Sequence, residues 1–293
     1  MEIEKRKDKA TWATNLIRSW LNTSPENTLE NKAGDKAWSD PLVGFSSGDD
    51  PYWDSFKEHV GPFHWTPAEA FEKAFPGIRV VPHQLTVISW VLPQTKETIL
   101  ATRKETAYPS ERWARARYYG EPVNDKLRSH IVTEFAKVGI RAMAPVLHPE
   151  WSRMSSDKFI FSSKWSERHT AFVSGLGTFG LCDGLITPLG KAIRLGSIVA
   201  EIELSPTPRP YSNHQAYCLW FSRGICRKCV QRCPAGAISE KGHDKRSCIR
   251  FIRDVCQKHI SERYGFNSYA CGLCETGVPC ESSIPANKKS EGL

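Results

Sequence analysis

The residues best suited to chemistry are cysteines, and their spacing is specific. Cys226-Arg-Lys-Cys229-Val-Gln-Arg-Cys233-Pro234 lies in a stretch that also holds Cys218, Cys248, Cys271, Cys274 and Cys280. A bacterial iron–sulfur run reads C-x-x-C-x-x-C-x-x-x-C-P, and its fourth cysteine serves the other cluster of a pair. The last three cysteines and the proline fit, whereas the first position falls on Arg223, so the missing ligand is assigned to Cys218. Cross-ligation then gives a pair of 4Fe–4S clusters, one on Cys218, Cys226, Cys229 and Cys280, the other on Cys233, Cys248, Cys271 and Cys274. Cys256 follows Cys248 on the same expected helix by about 12 Å of axial rise, too far for one cubane to take both. It is expected to be a buried free thiol, with replacement of Cys248 as the alternative. Cys182 stands apart in sequence and is expected in the core. A pair of zinc sites is the competing reading, because C-x-x-C occurs twice; the C-P after a three-residue gap and the wide spacing of the returning cysteines favour clusters. Clusters of this type move electrons at low potential.

The rest of the chain must position these ligands. With 293 residues, 40% of them hydrophobic and 11% aromatic, it can pack one large domain or two ordinary ones. No apolar run approaches the roughly 20 residues that span a bilayer, since Leu85–Leu92 ends at Pro93. The charged N-terminus, Met1 to Lys7, has no apolar core behind it, so neither a secretory signal nor a membrane anchor is expected, and a cytoplasmic location follows. Nine of the ten cysteines fall after residue 217, and in a reducing compartment that crowding favours metal ligation over disulfides. The formal charge of +8 falls to about +4 once a pair of clusters adds about −2 each, which gives no argument for nucleic acid.

Periodicity predicts an amphipathic helix over 10–22, then a Gly-, Asp-, Ser- and Pro-rich extension to residue 64. Thr66-Pro67-Ala68-Glu69 forms a capping box that starts a helix ending near Pro76-Gly77. Leu85–Leu92 predicts a central strand. A long helix from Ser110 to about Val138 is broken near Gly120, and Ile140–Pro145 predicts a strand. A helix over Ser163–Ser174 leads into Gly175-Leu-Gly177-Thr-Phe-Gly180, followed by strands at Leu185–Thr187 and Leu195–Leu204. Strands interleaved with helices predict an α/β layered domain, and Pro206, Pro208 and Pro210 mark a linker. The expected division is an N-terminal extension over 1–64, an α/β domain over 65–205 and a two-cluster module with a tail over 206–293.

Gly175-Leu-Gly177-Thr-Phe-Gly180, Gly184-Leu-Ile-Thr187-Pro188-Leu-Gly190, Arg194-Leu-Gly196 and the cysteine module with Asp244-Lys-Arg-Ser-Cys248 resemble the epoxyqueuosine reductase family. That family is itself similar to the core of the cobalamin-dependent reductive dehalogenases, and the likeness covers about residues 78–282. The resemblance implies a nitroreductase-like α/β fold holding cobalamin, followed by a bacterial-type two-cluster ferredoxin module, with one cluster close enough to reduce cobalt. Glycines at 175, 177 and 180 also let backbone approach either a flat cofactor or a neighbouring strand closely, and tight packing needs the same residue. The expected cofactor wall is therefore Gly175, Gly177, Gly180, Thr187, Gly190, Arg194 and Gly196, with Trp90, Trp113, Tyr108 and Tyr118 as further lining. The family's proton-donating acid precedes a Leu-Arg pair matching Leu127-Arg128, but Pro122 occupies its position here. Glu121, Asp125 and Tyr108 are the candidate donors, with a solvated helix start as the other reading of Glu121 and Asp125. Arg112, Arg115 and Arg117 could face an anion, with a solvated helix face as the other reading.

The expected function is an oxidoreductase passing electrons from an external low-potential donor, of the ferredoxin or flavodoxin class, through both clusters to a corrinoid that reduces an unknown small molecule. The rival is an electron-transfer or activator protein that docks on a corrinoid protein. Longer family members carry a helical-repeat extension for tRNA and this chain stops soon after Cys280, so tRNA is expected to be a doubtful partner.

Overall fold

A computed structural model describes residues 8–156, 158 and 160–286; the expected reading of the charged N-terminus and the tail beyond 286 lie outside them. In chain order the elements are α1 (Lys9–Thr23), β1 (Leu42–Ser47), α2 (Tyr52–His59), α3 (Pro67–Ala74), β2 (Leu85–Pro93), α4 (Lys96–Lys104), α5 (Glu111–Tyr118), α6 (Gly120–Lys137) and β3 (Ala142–Met143). They continue with β4 (Arg153–Met154), β5 (Ser162–Ser163), α7 (Glu167–Val173), β6 (Thr178–Phe179), β7 (Leu185–Ile186), β8 (Ile193–Glu201), α8 (Leu219–Arg223) and α9 (Lys228–Gln231). A short hairpin, β9 (Ile238–Ser239) and β10 (Gly242–His243), precedes α10 (Lys245–Arg250) and α11 (Gln257–Tyr264), which are joined by a π-helical turn over Phe251–Cys256. Among the described residues no helix is long and apolar enough to cross a membrane.

The first compact unit comprises residues up to 92, 119–176 and 194–210. Its sheet runs β1-β2-β8-β3, with β1 antiparallel to β2 and β3 antiparallel to β8. β2 is buried from Leu85 to Leu92, as a strand covered on both faces must be. α1 is capped by Asp8, whose carboxylate accepts from the N–H groups of Ala10 and Thr11, and it buries Ala13, Ile17 and Leu21 at four-residue spacing. α6 presents Val123, Leu127, Ile131 and Phe135 at the same spacing. The Thr66 capping box forms as the sequence requires. The stretch 23–64 is more than an extension: β1 pairs along its whole length with β2, Leu42 against Val91 and Ser47 against Thr86. Its short run, interrupted by Gly44, hides that strand from periodicity.

The second, cysteine-rich unit comprises 93–118, 177–193 and 211 onward, and so includes segments that the expected boundaries at 65 and 205 assign to the α/β domain. Hydrogen bonds explain why earlier segments join it. The Arg232 guanidinium donates to the carbonyls of Thr102 and Glu105, Tyr264 donates to the carbonyl of Pro109, and the N–H groups of Lys191 and Ala192 donate to the carbonyl of Glu281. Such long-range pairings have no periodic signature. The helix α4 was not expected either; Thr95 caps it by accepting from the Thr98 N–H.

Candidate metal centre

The first expected ligand set comes together. Cys218, Cys226, Cys229 and Cys280 all line one chamber of the cysteine-rich unit, with Leu181, Ile186 and Lys191. Cys218 sits at the start of α8, and its carbonyl accepts from the Ser222 N–H at 2.9 Å. Gly224 ends that helix in the left-handed region at φ 70°, which lets the chain turn back so that Cys226 and Cys229 follow within five residues. Cys280 arrives from the far end of the sequence, and its carbonyl accepts from the Lys191 N–H at 2.9 Å. Arg232, a residue the sequence gave no reason to single out, braces the frame by donating to the carbonyls of Leu273 and Thr276 on either side of Cys274.

The second expected set, Cys233, Cys248, Cys271 and Cys274, is distributed differently. Cys233 and Cys274 pack with the cluster of buried residues that holds Cys218 and Cys229. Cys274 lies against Cys182, Cys271 against Cys256, and Cys248 against His243. Among the described residues, no group of three or more His, Cys, Asp or Glu is gathered as around a single metal ion. Cys182 is buried as expected, yet it is not a bystander, since its thiol meets Cys229 as well as Cys274. It occupies the tight Gly180–Gly184 turn, where Asp183 adopts φ 59°.

Charge follows from these contacts. Hydrogen bonds from Cys229 and Cys274, with the Lys191 ammonium nearby, hold the Cys182 thiol well below its ordinary range despite burial. Burial alone would push Lys191 down, but the sulfur charge of Cys182, Cys280, Cys274 and Cys229 outweighs it and keeps the ammonium protonated. Burial pushes the Cys280 thiol up to about 11. His243 is pushed down by burial, but hydrogen bonds to Asp183 and Cys248 prevail and raise it to about 9. The donor set therefore fits a 4Fe–4S cluster at the first site: thiolates from three separated segments around a shared space, with a buried cation able to offset part of the negative charge.

The expected cofactor wall has another physical reason. A Cβ on Gly177 would lie 2.3 Å from the Ile186 carbonyl oxygen, one on Gly190 2.2 Å from that of Glu281, and one on Gly196 2.4 Å from the Trp90 indole nitrogen. Gly175, at φ 77°, would place its Cβ 2.8 Å from the Pro208 carbonyl. Thr187 closes its own turn by donating to the Gly190 carbonyl at 2.7 Å. These glycines make room for the chain's own backbone and side chains, which is the packing reading of the two the sequence leaves open. Gly180 does border the cysteine chamber. Gly175, Gly177, Gly190 and Gly196 thus have a packing reason of their own and carry no argument for a corrinoid wall.

The candidate donors are engaged elsewhere. Glu121 pairs at 3.0 Å with Arg194, itself an expected cofactor contact, and Asp125 pairs at 2.6 Å with the buried Arg128. Tyr108 stacks on His259 with ring centres 4.1 Å apart and is 38% exposed. Trp90 is core, donating to Asn124, and Trp113 covers Gly272, whereas Tyr118 packs half-exposed against Phe266. Arg115 pairs with Glu111 and Arg117 donates to Tyr269, as a helix face bound to its own surface does.

Fold and site together define a layered α/β protein carrying a cysteine-lined chamber. The chain matches no protein-family profile. It is 28% identical over 119 residues to an epoxyqueuosine reductase of Bacillus anthracis, covering 39% of this chain and 29% of the relative. It is 31% identical over 120 residues to a tetrachloroethene reductive dehalogenase of Desulfitobacterium hafniense, covering 39% of this chain and 20% of the relative. A solved catabolic reductive dehalogenase shares the fold, with a TM-score of 0.51 and 16% identity over 94% of this chain and 38% of that one. The chain is thus related to the epoxyqueuosine reductases and, with them, to the reductive dehalogenases. It matches less than a third of either curated relative's length.

Proposed function

We propose that this chain is an iron–sulfur reductase that takes electrons from an external low-potential carrier of the ferredoxin or flavodoxin class. The observation that carries this is the convergence of Cys218, Cys226, Cys229 and Cys280 on one chamber with the buried Lys191. When bound there, a 4Fe–4S cluster supplies one-electron reduction and oxidation at low potential. The chain's own residues hold it. Four thiolates ligate, Leu181 and Ile186 exclude water, Lys191 offsets charge, and Arg232 fixes the neighbouring turn. The second set, Cys233, Cys248, Cys271 and Cys274, serves a second cluster, with Cys256 as the alternative ligand to Cys248.

The names of the relatives bring a substrate class to the proposal: epoxyqueuosine, a modified nucleoside, or a chlorinated hydrocarbon. A solved epoxyqueuosine reductase carries a tRNA stem loop, so an epoxyqueuosine-bearing stem loop belongs among the substrates tested. The second reading is an electron-transfer or activator protein with no substrate of its own. The glycines filled by the chain's own atoms favour it, because they remove one argument for a resident corrinoid.

The test is anaerobic preparation from a corrinoid-supplied host, followed by iron, sulfide and cobalt determination and turnover with reduced ferredoxin. Iron with stoichiometric cobalt and turnover supports the corrinoid reductase. Iron without cobalt, and electron delivery to a corrinoid protein, supports the carrier. Absence of iron and sulfide contradicts both.

A further inference from the structure

We infer that Lys191 sets the reduction potential of the cluster held by Cys218, Cys226, Cys229 and Cys280, keeping it above the value those thiolates alone would give; the inference rests on the reading above. Lys191 leaves the Thr187–Gly190 turn with its N–H bonded to the carbonyls of Cys280 and Glu281, at 2.9 and 3.2 Å. The root of the side chain is therefore fixed beside the last ligand of the set. The residue is 3% exposed, lines the cysteine chamber, and its Nζ donates to the Cys182 sulfur at 3.2 Å.

Among the described residues no carboxylate pairs with it: Glu281 takes Arg103, and Asp183 takes Lys245 and His243. A buried ammonium is strongly disfavoured without a counter-charge, and here sulfur is the available one. Accepting one electron from an external donor takes a four-thiolate cluster from a charge of about −2 to about −3. A fixed cation in a poorly screened interior attracts the more negative state more strongly, and so favours reduction. Cys182 carries the contact further, because its thiol meets Cys229 of this set and Cys274 of the other.

The experiment is a dithionite redox titration of the anaerobic holoprotein, followed by EPR, for the unaltered chain and for Lys191→Met, Lys191→Gln and Lys191→Arg. Iron content is measured in parallel. Met and Gln should lower the reduction equilibrium constant of one cluster about tenfold, 59 mV for a one-electron couple, with iron unchanged. Arg keeps the charge and should stay within about threefold of the unaltered chain. The shift should persist at high salt, because a buried charge is little screened. An unchanged potential in Met and Gln with full iron would overturn the assignment. Loss of iron in both would also overturn it, by making the lysine a requirement for assembly. Absence of iron from the unaltered chain would remove the underlying reading as well, and so is distinguishable from failure of the inference alone.

Discussion

The thiols of Cys256 and Cys271 lie against each other in the interior of the cysteine-rich unit, and Cys256 is fully buried. The contact forms because the helix from Asp244 continues past Cys248 through the π turn, which carries Cys256 inward. Cys248→Ser and Cys233→Ser should each lose about half of the iron, whereas Cys256→Ser should keep it, the hydroxyl replacing the thiol toward Cys271. Iron analysis and EPR check this. Iron loss in Cys256→Ser with retention in Cys248→Ser would place Cys256 in the ligand set.

Arg128 is 1% exposed and pairs with Glu167 at 3.0 Å, while Glu167 also accepts from Ser197 at 2.6 Å. Burial raises the Glu167 carboxyl, and Arg128 opposes that rise. Arg128→Met should cost about 3–5 kcal/mol in urea unfolding, because it leaves an unpaired buried carboxylate. Adding Glu167→Gln should recover part of the loss. A cost under about 1 kcal/mol would show that the pair is not important to stability.

His64 is fully buried against Phe56 and Trp165, and burial, with Lys57 nearby, lowers its pKa from 6.5 to about 4. Above pH 6.5 the ring is neutral in both folded and unfolded chains. Between pH 6.5 and about 4 the unfolded chain takes up a proton that the folded chain refuses, so stability falls as pH falls, by roughly 3 kcal/mol in all. Both ring nitrogens lack partners, so His64→Phe should match the unaltered stability at pH 7.5 and lose much less of it at pH 4.5. Parallel acid limbs for the two proteins would contradict this.

Gly177→Val should lower stability by roughly 1–3 kcal/mol whether or not any cofactor is present, since its Cβ would meet the Ile186 carbonyl. Thermal unfolding of the chain without added corrinoid checks it. An unchanged midpoint would mean that the β6–β7 hairpin yields freely and that the glycine has another purpose.

Local signals survived translation into three dimensions. The Thr66 capping box, the apolar run ending at Leu92 and the helix break near Gly120 depend on neighbours in sequence, and each forms as expected. Cys218, Cys226, Cys229 and Cys280 border one chamber, as an assignment made from ligand spacing requires. Lys191, Arg232 and the contacts of Cys182 were not legible, because each owes its place to partners distant in sequence. The glycine-rich stretch stays ambiguous in sequence for a related reason: close approach by protein backbone and by a flat ligand demand the same residue.

The most direct measurement is iron and acid-labile sulfide per chain after anaerobic preparation, in the unaltered protein and in Cys229→Ser. The account predicts about eight of each for the unaltered chain and about four for the variant, because Cys229 serves one cluster of the pair. Zinc in place of iron, or neither metal with all ten cysteines reduced, would contradict it.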